Sequence, residues 1–302
     1  MAVAAADQRR LIRNTAEVEV DLLQSGLQSQ ELPGGWSYAN VDSWSSAGYP
    51  KCSGQFQSPI DIRVSSCQTG SKLRSFADVL SAHLDYSALI GLFLQHLGKA
   101  LQVDGNFGSL SLPDGIYDVK HITMHTPSEH TIEGAGGVGE LHVVHQKRGA
   151  AGLNDLAIIA IVLMEANGTN SPETEFFKNL SFDHLFDEPA SMELANALDL
   201  NVFSEQLGGG YYHYLGSQTS PPCLEGVHWY VMATAAPITK DQLEDLQDSV
   251  PKNSRPVQQL NGREVAFMTT YLAGEFAPSG VQMTQSIDHK GDGNFRFSKI
   301  LD

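Results

Sequence analysis

No apolar run in the 302-residue chain approaches the ~20 residues a membrane-spanning helix needs. The longest, Leu156 to Met164, has strand length, so no membrane span is expected. Basic side chains are scarce: 19 Lys and Arg stand against 35 Asp and Glu, a net charge of −16. A nucleic-acid binder displaces counterions with basic groups, so nucleic acid is excluded as a partner and anionic membranes are disfavoured. No G-x-S-x-G elbow is present, which argues against a serine hydrolase of the α/β type. Met1 to Ala6 are small, but Asp7, Arg9 and Arg10 follow without an apolar stretch, so no secretory signal is expected in the chain as written.

Cysteine is also scarce. Cys52, Cys67 and Cys223 cannot all pair, and their positions do not choose between three reduced thiols and one bridge with a thiol left over. A Cys52–Cys223 bond would close a loop of about 170 residues and contribute roughly 4–5 kcal/mol in the chain-entropy model. Two sequons, Asn167-Gly168-Thr169 and Asn179-Leu180-Ser181, fit a secretory route but arise readily by chance.

Hydrophobic residues at 41% and charged residues at 18% are enough for a large core and exclude disorder by composition. Residues 1–34 read as an appendage. Leu11, Val18 and Leu22 recur at helical spacing, while Val18, Val20 and Leu22 alternate as in a strand, and both readings stand. Leu32-Pro33-Gly34-Gly35 separates this segment from residues 35–302, which read as one β-dominated domain. Strands are expected at Ala100–Val103, Val119–His125, Glu140–His145, Leu156–Met164 and Val227–Ala233. The clearest helix is expected over Ile238 to Val250, with Thr239 and Gln242 at capping-box spacing.

Gly134 to Gly139 satisfies the letters G-x-G-x-x-G. The dinucleotide mechanism needs a helix after the glycines, and here the alternating Glu140-Leu141-His142-Val143-Val144-His145 reads as a strand. The glycines are therefore expected in a hairpin loop. One arm of that hairpin carries His121, Thr123 and His125, then Glu129 and His130. The other carries Glu140, His142 and His145. Residues two apart on a strand share a face, so imidazoles from both arms can converge as a zinc site requires. Hydrogen-bonded structural histidines are the competing reading.

Six ordered segments resemble the α-class carbonic anhydrases. They are Trp36-Ser37-Tyr38 with Trp44, Gln57 to Ile62, His125-Thr126-Pro127-Ser128-Glu129-His130-Thr131, Glu140 to His145, Tyr214 to Cys223, and Arg255 to Gln258 with Asn261-Gly262-Arg263. The resemblance spans about Trp36 to Arg263. It implies a mainly β fold, a large twisted and mostly antiparallel sheet with short peripheral helices. It also implies a lyase activity, the reversible hydration of CO2 to bicarbonate, with zinc as cofactor. It pairs Cys52 with Cys223, leaves Cys67 free, and places the protein in an oxidising compartment, secreted or lumenal. That placement conflicts with the lack of a signal sequence.

The same resemblance exposes departures. Members hold zinc with three histidines, and the alignment gives His125 and His142 for two of them but Thr123 for the third. A threonine hydroxyl is not among zinc's usual ligands. His121 is the conceivable substitute. It stands where a residue that orients the missing ligand is expected, about 6.6 Å further along the strand. Lys99 falls at the proton-shuttle position, where a group with an ordinary pKa near 10.4 relays protons poorly. Gln218 and Ile158 alter an otherwise apolar substrate pocket that keeps Val144 and Trp229. Thr219 and Glu129 match the pair that orients the nucleophile, and Glu140 matches the carboxylate that fixes the third ligand. His130, His145 and Tyr214 read as structural. Two functions follow as expectations. The first is a carbonic-anhydrase-like protein with weak or absent hydratase activity and a scaffold or binding role, holding zinc weakly or not at all. The second is a working carbonic anhydrase with a non-standard zinc site of His121, His125 and His142.

Overall fold

A computed structural model describes residues 36–69, 83–166, 168, 170–182, 190–250 and 252–268. The appendage at 1–34 and the sequon at Asn167 lie outside the described residues.

Thirteen of the described strands form one mixed sheet. In spatial order its main path is β11 (Ala190–Glu193), β4 (Phe93–His96), β5 (Leu101–Asp104), β7 (Gly115–His125), β9 (Gly139–Lys147), β10 (Leu156–Ala166), β13 (Glu225–Met232), β12 (Tyr211–Ser217), β15 (Ala266–Met268) and β2 (Gln68–Thr69). Off this path, β14 (Ala236–Thr239) pairs with β10, and β3 (Leu84–Tyr86) pairs with β6 (Gly108–Leu112), which pairs with β7. A separate two-stranded sheet joins β1 (Asp61–Ile62) to β8 (Thr131–Ile132). Most pairings are antiparallel, but β10 runs parallel to both β13 and β14.

The central strand shows why the sheet has two cores. Leu156 to Ile161 are all buried, as expected of a β-branched run covered on both faces. With a period of two, Ala157, Ile159, Ile161 and Leu163 enter a large core with Leu101, Val103, Ile122, Met124, Leu141 and Val143. Ile158 and Ala160 face the other way, into a smaller core with Ile60, Val144, Tyr214, Trp229 and Val231. Each buried Leu, Ile, Val or Met side chain among these contributes about 1.5–3 kcal/mol.

Helices are short: α1 (Pro172–Asn179), α2 (Ser204–Gly208) and α3 (Lys240–Ser249). The Thr239–Gln242 capping box is formed in both directions. Ile238 belongs to β14 rather than to the helix, because its backbone pairs with Glu165 of β10 while its side chain is fully buried. Strand β9 begins at Gly139, the last glycine of the cluster, and no helix follows. The link from β7 to β9 is wider than a hairpin, because residues 126–138 carry β8 out to pair with β1.

Cys52 and Cys223 form a disulfide, with Cα atoms 4.9 Å apart across 171 positions. It packs against Trp44, Trp36, Tyr38 and Tyr49. Cys67 is free.

Candidate functional site

The site is assembled by strand register. Thr123 of β7 lies opposite His142 of β9, and His125 lies opposite Glu140. Opposed residues share a face, so Thr123, His125, Glu140 and His142 project together. The row continues across the sheet, with Gln102 opposite Thr123 and Ala160 opposite His142. The next row holds His121 opposite Val144, Val144 opposite Ile158, and Ile158 beside Trp229. Val144, Ile158 and Trp229 thus form one apolar wall, buried in the smaller core.

Hydrogen bonds fix which nitrogen of each imidazole carries the lone pair. His125 Nδ1 is 3.0 Å from the Asn253 carbonyl. A carbonyl only accepts, so Nδ1 is protonated and Nε2 is bare. That Nε2 lies 3.4 Å from Thr123 Oγ1, in range of its hydroxyl. His142 Nε2 donates to Glu140 Oε1 at 2.7 Å, which leaves Nδ1 bare. The two rings are 4.4 Å apart between centroids. Burial lowers the pKa of both, and their mutual proximity lowers that of His142 further. Both are therefore neutral near neutral pH, the state that binds metal.

Glu140 anchors this arrangement. Its Oε1 also stands 2.7 Å from His130 Nδ1, and its Oε2 accepts from the backbone N–H groups of Glu129 and His130 at 2.9 and 2.8 Å. Burial opposes the charge, but His130, His142 and these hydrogen bonds outweigh it and hold the carboxyl well below its usual range. Behind His130, Nε2 meets the Tyr214 hydroxyl at 2.7 Å, and that hydroxyl meets Ser58 Oγ at 2.9 Å.

Glu129 is a second buried carboxylate. Its Oε1 accepts from the Arg255 backbone at 2.9 Å. Burial pushes its pKa up to about 7; His142, the Arg255 backbone and the Thr219 hydroxyl pull it down, while Glu140 raises it. Its Oε2 has no well-aligned donor, although Thr219 stands close enough to act on it.

Proximity gathers two groups of potential metal donors among the described residues: His125, Glu129 and His142, and His130, Glu140 and His142. In both groups, however, the carboxylates lie behind the rings. Glu129 approaches His125 Nδ1 at 3.7 Å and His142 Nε2 at 3.9 Å, the nitrogens already given to Asn253 and Glu140. The lone-pair side offers His125 Nε2 and His142 Nδ1, with a threonine hydroxyl in place of a third nitrogen. Catalytic zinc takes three protein ligands from Cys, His and carboxylate groups. Among the described residues, the donors on that side do not make up that set.

His121 lies outside both groups. Burial lowers its pKa to about 4, and Asp104, its partner across from β5, is the main charge opposing that shift. The pairing of β7 with β9 is irregular between Val119 and His121, leaving Lys120 without an opposite residue. Lys99 Nζ sits 4.9 Å over the Trp36 ring, a cation–π contact. Gln218 turns its amide oxygen to the Leu224 N–H at 3.3 Å. Asn253, which orients His125 and also bonds Thr126 and Met124, carries no signal in the sequence, since it acts from 128 positions away. Arg255 lies within a segment of the resemblance, and its backbone hold on Glu129 emerges only in the fold.

A family model described as eukaryotic-type carbonic anhydrase matches residues 39–269. Carbonic anhydrase 6 of Bos taurus is 28% identical over 280 residues, covering 81% of this chain and 82% of that protein. Dioscorin dioA3 of Dioscorea japonica is 32% identical over 225 residues, covering 71% of this chain and 76% of that one. Among solved structures, the Photobacterium profundum alpha-carbonic anhydrase superposes with a TM-score of 0.66 at 28% identity, covering 77% of this chain and all of that one. Dioscorin complexed with ascorbate superposes at 0.65 and 27% identity, covering 76% and 94%. The matched segment includes every described strand of the sheet and both candidate ligand histidines, and the chain belongs to the eukaryotic-type carbonic anhydrase family.

Proposed function

We propose that this chain is a carbonic-anhydrase-related protein with weak or absent CO2 hydratase activity, kept for a binding or scaffold role. One observation carries the reading: Thr123 Oγ1 stands beside His125 Nε2, where a third imidazole is needed. Four-ligand zinc sites bind with about 10–16 kcal/mol, so losing one nitrogen costs several. A polar Gln218 by the pocket and Lys99 at the shuttle position support the same reading. So does the likeness to a dioscorin, a protein solved with ascorbate. The Cys52–Cys223 bond supports an oxidising compartment.

The irregular pairing beside His121 favours a second reading. Such irregularities re-aim side chains near active sites, and here one would bring His121 to a metal held with His125 and His142. The protein would then hydrate CO2.

Elemental analysis of the purified protein, paired with stopped-flow CO2 hydration, decides between them. The expected result is well under one zinc per chain and little hydration. Stoichiometric zinc with rapid hydration would overturn the first reading. Loss of that zinc in a His121→Ala variant would then establish the second.

A further inference from the structure

Two more histidines meet on the opposite face of the sheet. Along β12, Tyr212 and Tyr214 enter the smaller core while Tyr211 enters the larger one, so His213 faces away from the zinc-type cleft. Along β13, Trp229 and Val231 enter the smaller core while Tyr230 enters the larger, which places His228 on the same side as His213. In register, His213 lies opposite Tyr230 and Leu215 lies opposite His228, so the two imidazoles are diagonal neighbours. Their rings are nearly parallel, 5.6 Å apart and inclined by 22°. His213 Nε2 is 3.3 Å from His228 Nδ1.

That separation has a chemical meaning. Two imidazole nitrogens bound to one metal at about 2.0–2.1 Å lie about 3.3–3.4 Å apart at the tetrahedral angle and about 2.8–3.0 Å apart at the right angle of tetragonal copper. The observed pair therefore needs to close by only a few tenths of an ångström for copper. Both rings are half-buried and so remain reachable from solvent, while Leu215, opposite His228, is exposed. We infer that His213 and His228 form a two-histidine site for a divalent transition-metal ion, with Cu2+ preferred and solvent completing the coordination. Copper heads the affinity order for nitrogen ligands.

The surrounding charges are consistent with a cation. Asp114 and Asp155 act on His228 in the favourable direction, and Lys147, which opposes them, is ion-paired to Asp114 at 2.8 Å. Burial, and then His228, lowers the His213 pKa to about 4; burial also lowers that of His228. Neither ring must therefore lose a proton near neutral pH. In the metal-free pair one ring donates its N–H to the other. On binding, that ring shifts its proton to its remaining nitrogen through solvent, leaving both facing nitrogens bare, with no net proton released. Among the described residues no third His, Cys, Asp or Glu donor joins the pair, so the site is open, unlike a closed structural centre.

The test is titration of the tag-free full chain with CuCl2 alone, followed by calorimetry and electron paramagnetic resonance. Threonine, a good strand residue, replaces each histidine in turn. The expected result is a copper equivalent with nitrogen ligands in the parent, lost in both His213→Thr and His228→Thr. Copper bound in the same amount with the same spectrum in both variants would overturn the inference, as would a parent that binds none. A crystal soaked in CuCl2 gives a check independent of any variant's folding. Anomalous density between the two nitrogens supports the site, and density confined to the His125–His142 cleft refutes it.

Discussion

Thr123 Oγ1 faces the bare Nε2 of His125 across 3.4 Å, so a hydroxyl and an imidazole share the space that a metal would occupy. Replacing Thr123 with histidine supplies the missing nitrogen on the correct face. Zinc affinity is expected to rise at least about a hundredfold, since each ligand accounts for several kcal/mol. Competition against a chelator measures it. Unchanged affinity would mean that the first-ligand position has been misassigned. Hydration in that variant is expected to stay limited by proton export until Lys99→His is added, because lysine relays protons poorly at neutral pH.

The pH dependence of stability follows from His145. It is fully buried, with Tyr86 Oη 2.7 Å from Nε2 and Nδ1 bonded to the Ala157 carbonyl. Burial lowers its pKa to about 4, against about 6.5 for an ordinary imidazole. Above pH 6.5 both folded and unfolded states are neutral and this stabilisation is fully present. As the pH falls towards 4 the unfolded chain takes a proton that the folded chain refuses, and up to about 3 kcal/mol is lost. Urea unfolding of the parent and of His145→Gln across that window measures it. The variant is expected to show the shallower decline, and equal slopes would assign the loss to other groups.

The Cys52–Cys223 bridge is expected to hold about 2–5 kcal/mol of stability. Thermal melts of a Cys52→Ser/Cys223→Ser variant should show the loss, while Cys67→Ser should lie within about 0.5 kcal/mol of the parent. A reducing agent that fails to lower the parent's melting temperature, under conditions where free-thiol titration shows the bond broken, would contradict it.

Gly137 is fixed by space. A Cβ there would lie 2.3 Å from the Leu163 carbonyl oxygen, part of the β10 backbone. Gly137→Ala is expected to cost about 1–3 kcal/mol through overpacking. Gly208 in α2 meets nothing within 4 Å, so Gly208→Ala is expected to be neutral or slightly stabilising. Denaturant midpoints of the two variants give the comparison.

The sheet was legible where burial is simple. Leu156 to Met164 announces β10 because both its faces are covered, and the alternation from Val119 to His125 announces β7. Ile238 misleads because a buried strand residue happened to fall in phase with the helix that follows. Within the site, Thr123 could be placed only through the segment from His125 to Thr131, since nothing intrinsic to a threonine marks an absent ligand. Asn253 was illegible, because a backbone carbonyl leaves no trace in side-chain chemistry. The His213–His228 pair was hidden for a related reason: fifteen positions separate them, and only the register of β12 against β13 makes them neighbours.

The parallel pairing of β10 with β13 sets an order of assembly. Ala157 can meet His145 as soon as the β9–β10 segment exists, but it meets His228 only after residues up to 228 have been synthesised and their long loop has closed. Trp229, 5.0 Å from His142 between ring centroids, is therefore a late arrival. A nascent chain halted before β13 would carry its two candidate ligands on an unbacked ribbon, exposed to water, so the cleft acquires its dry floor only once β13 has docked.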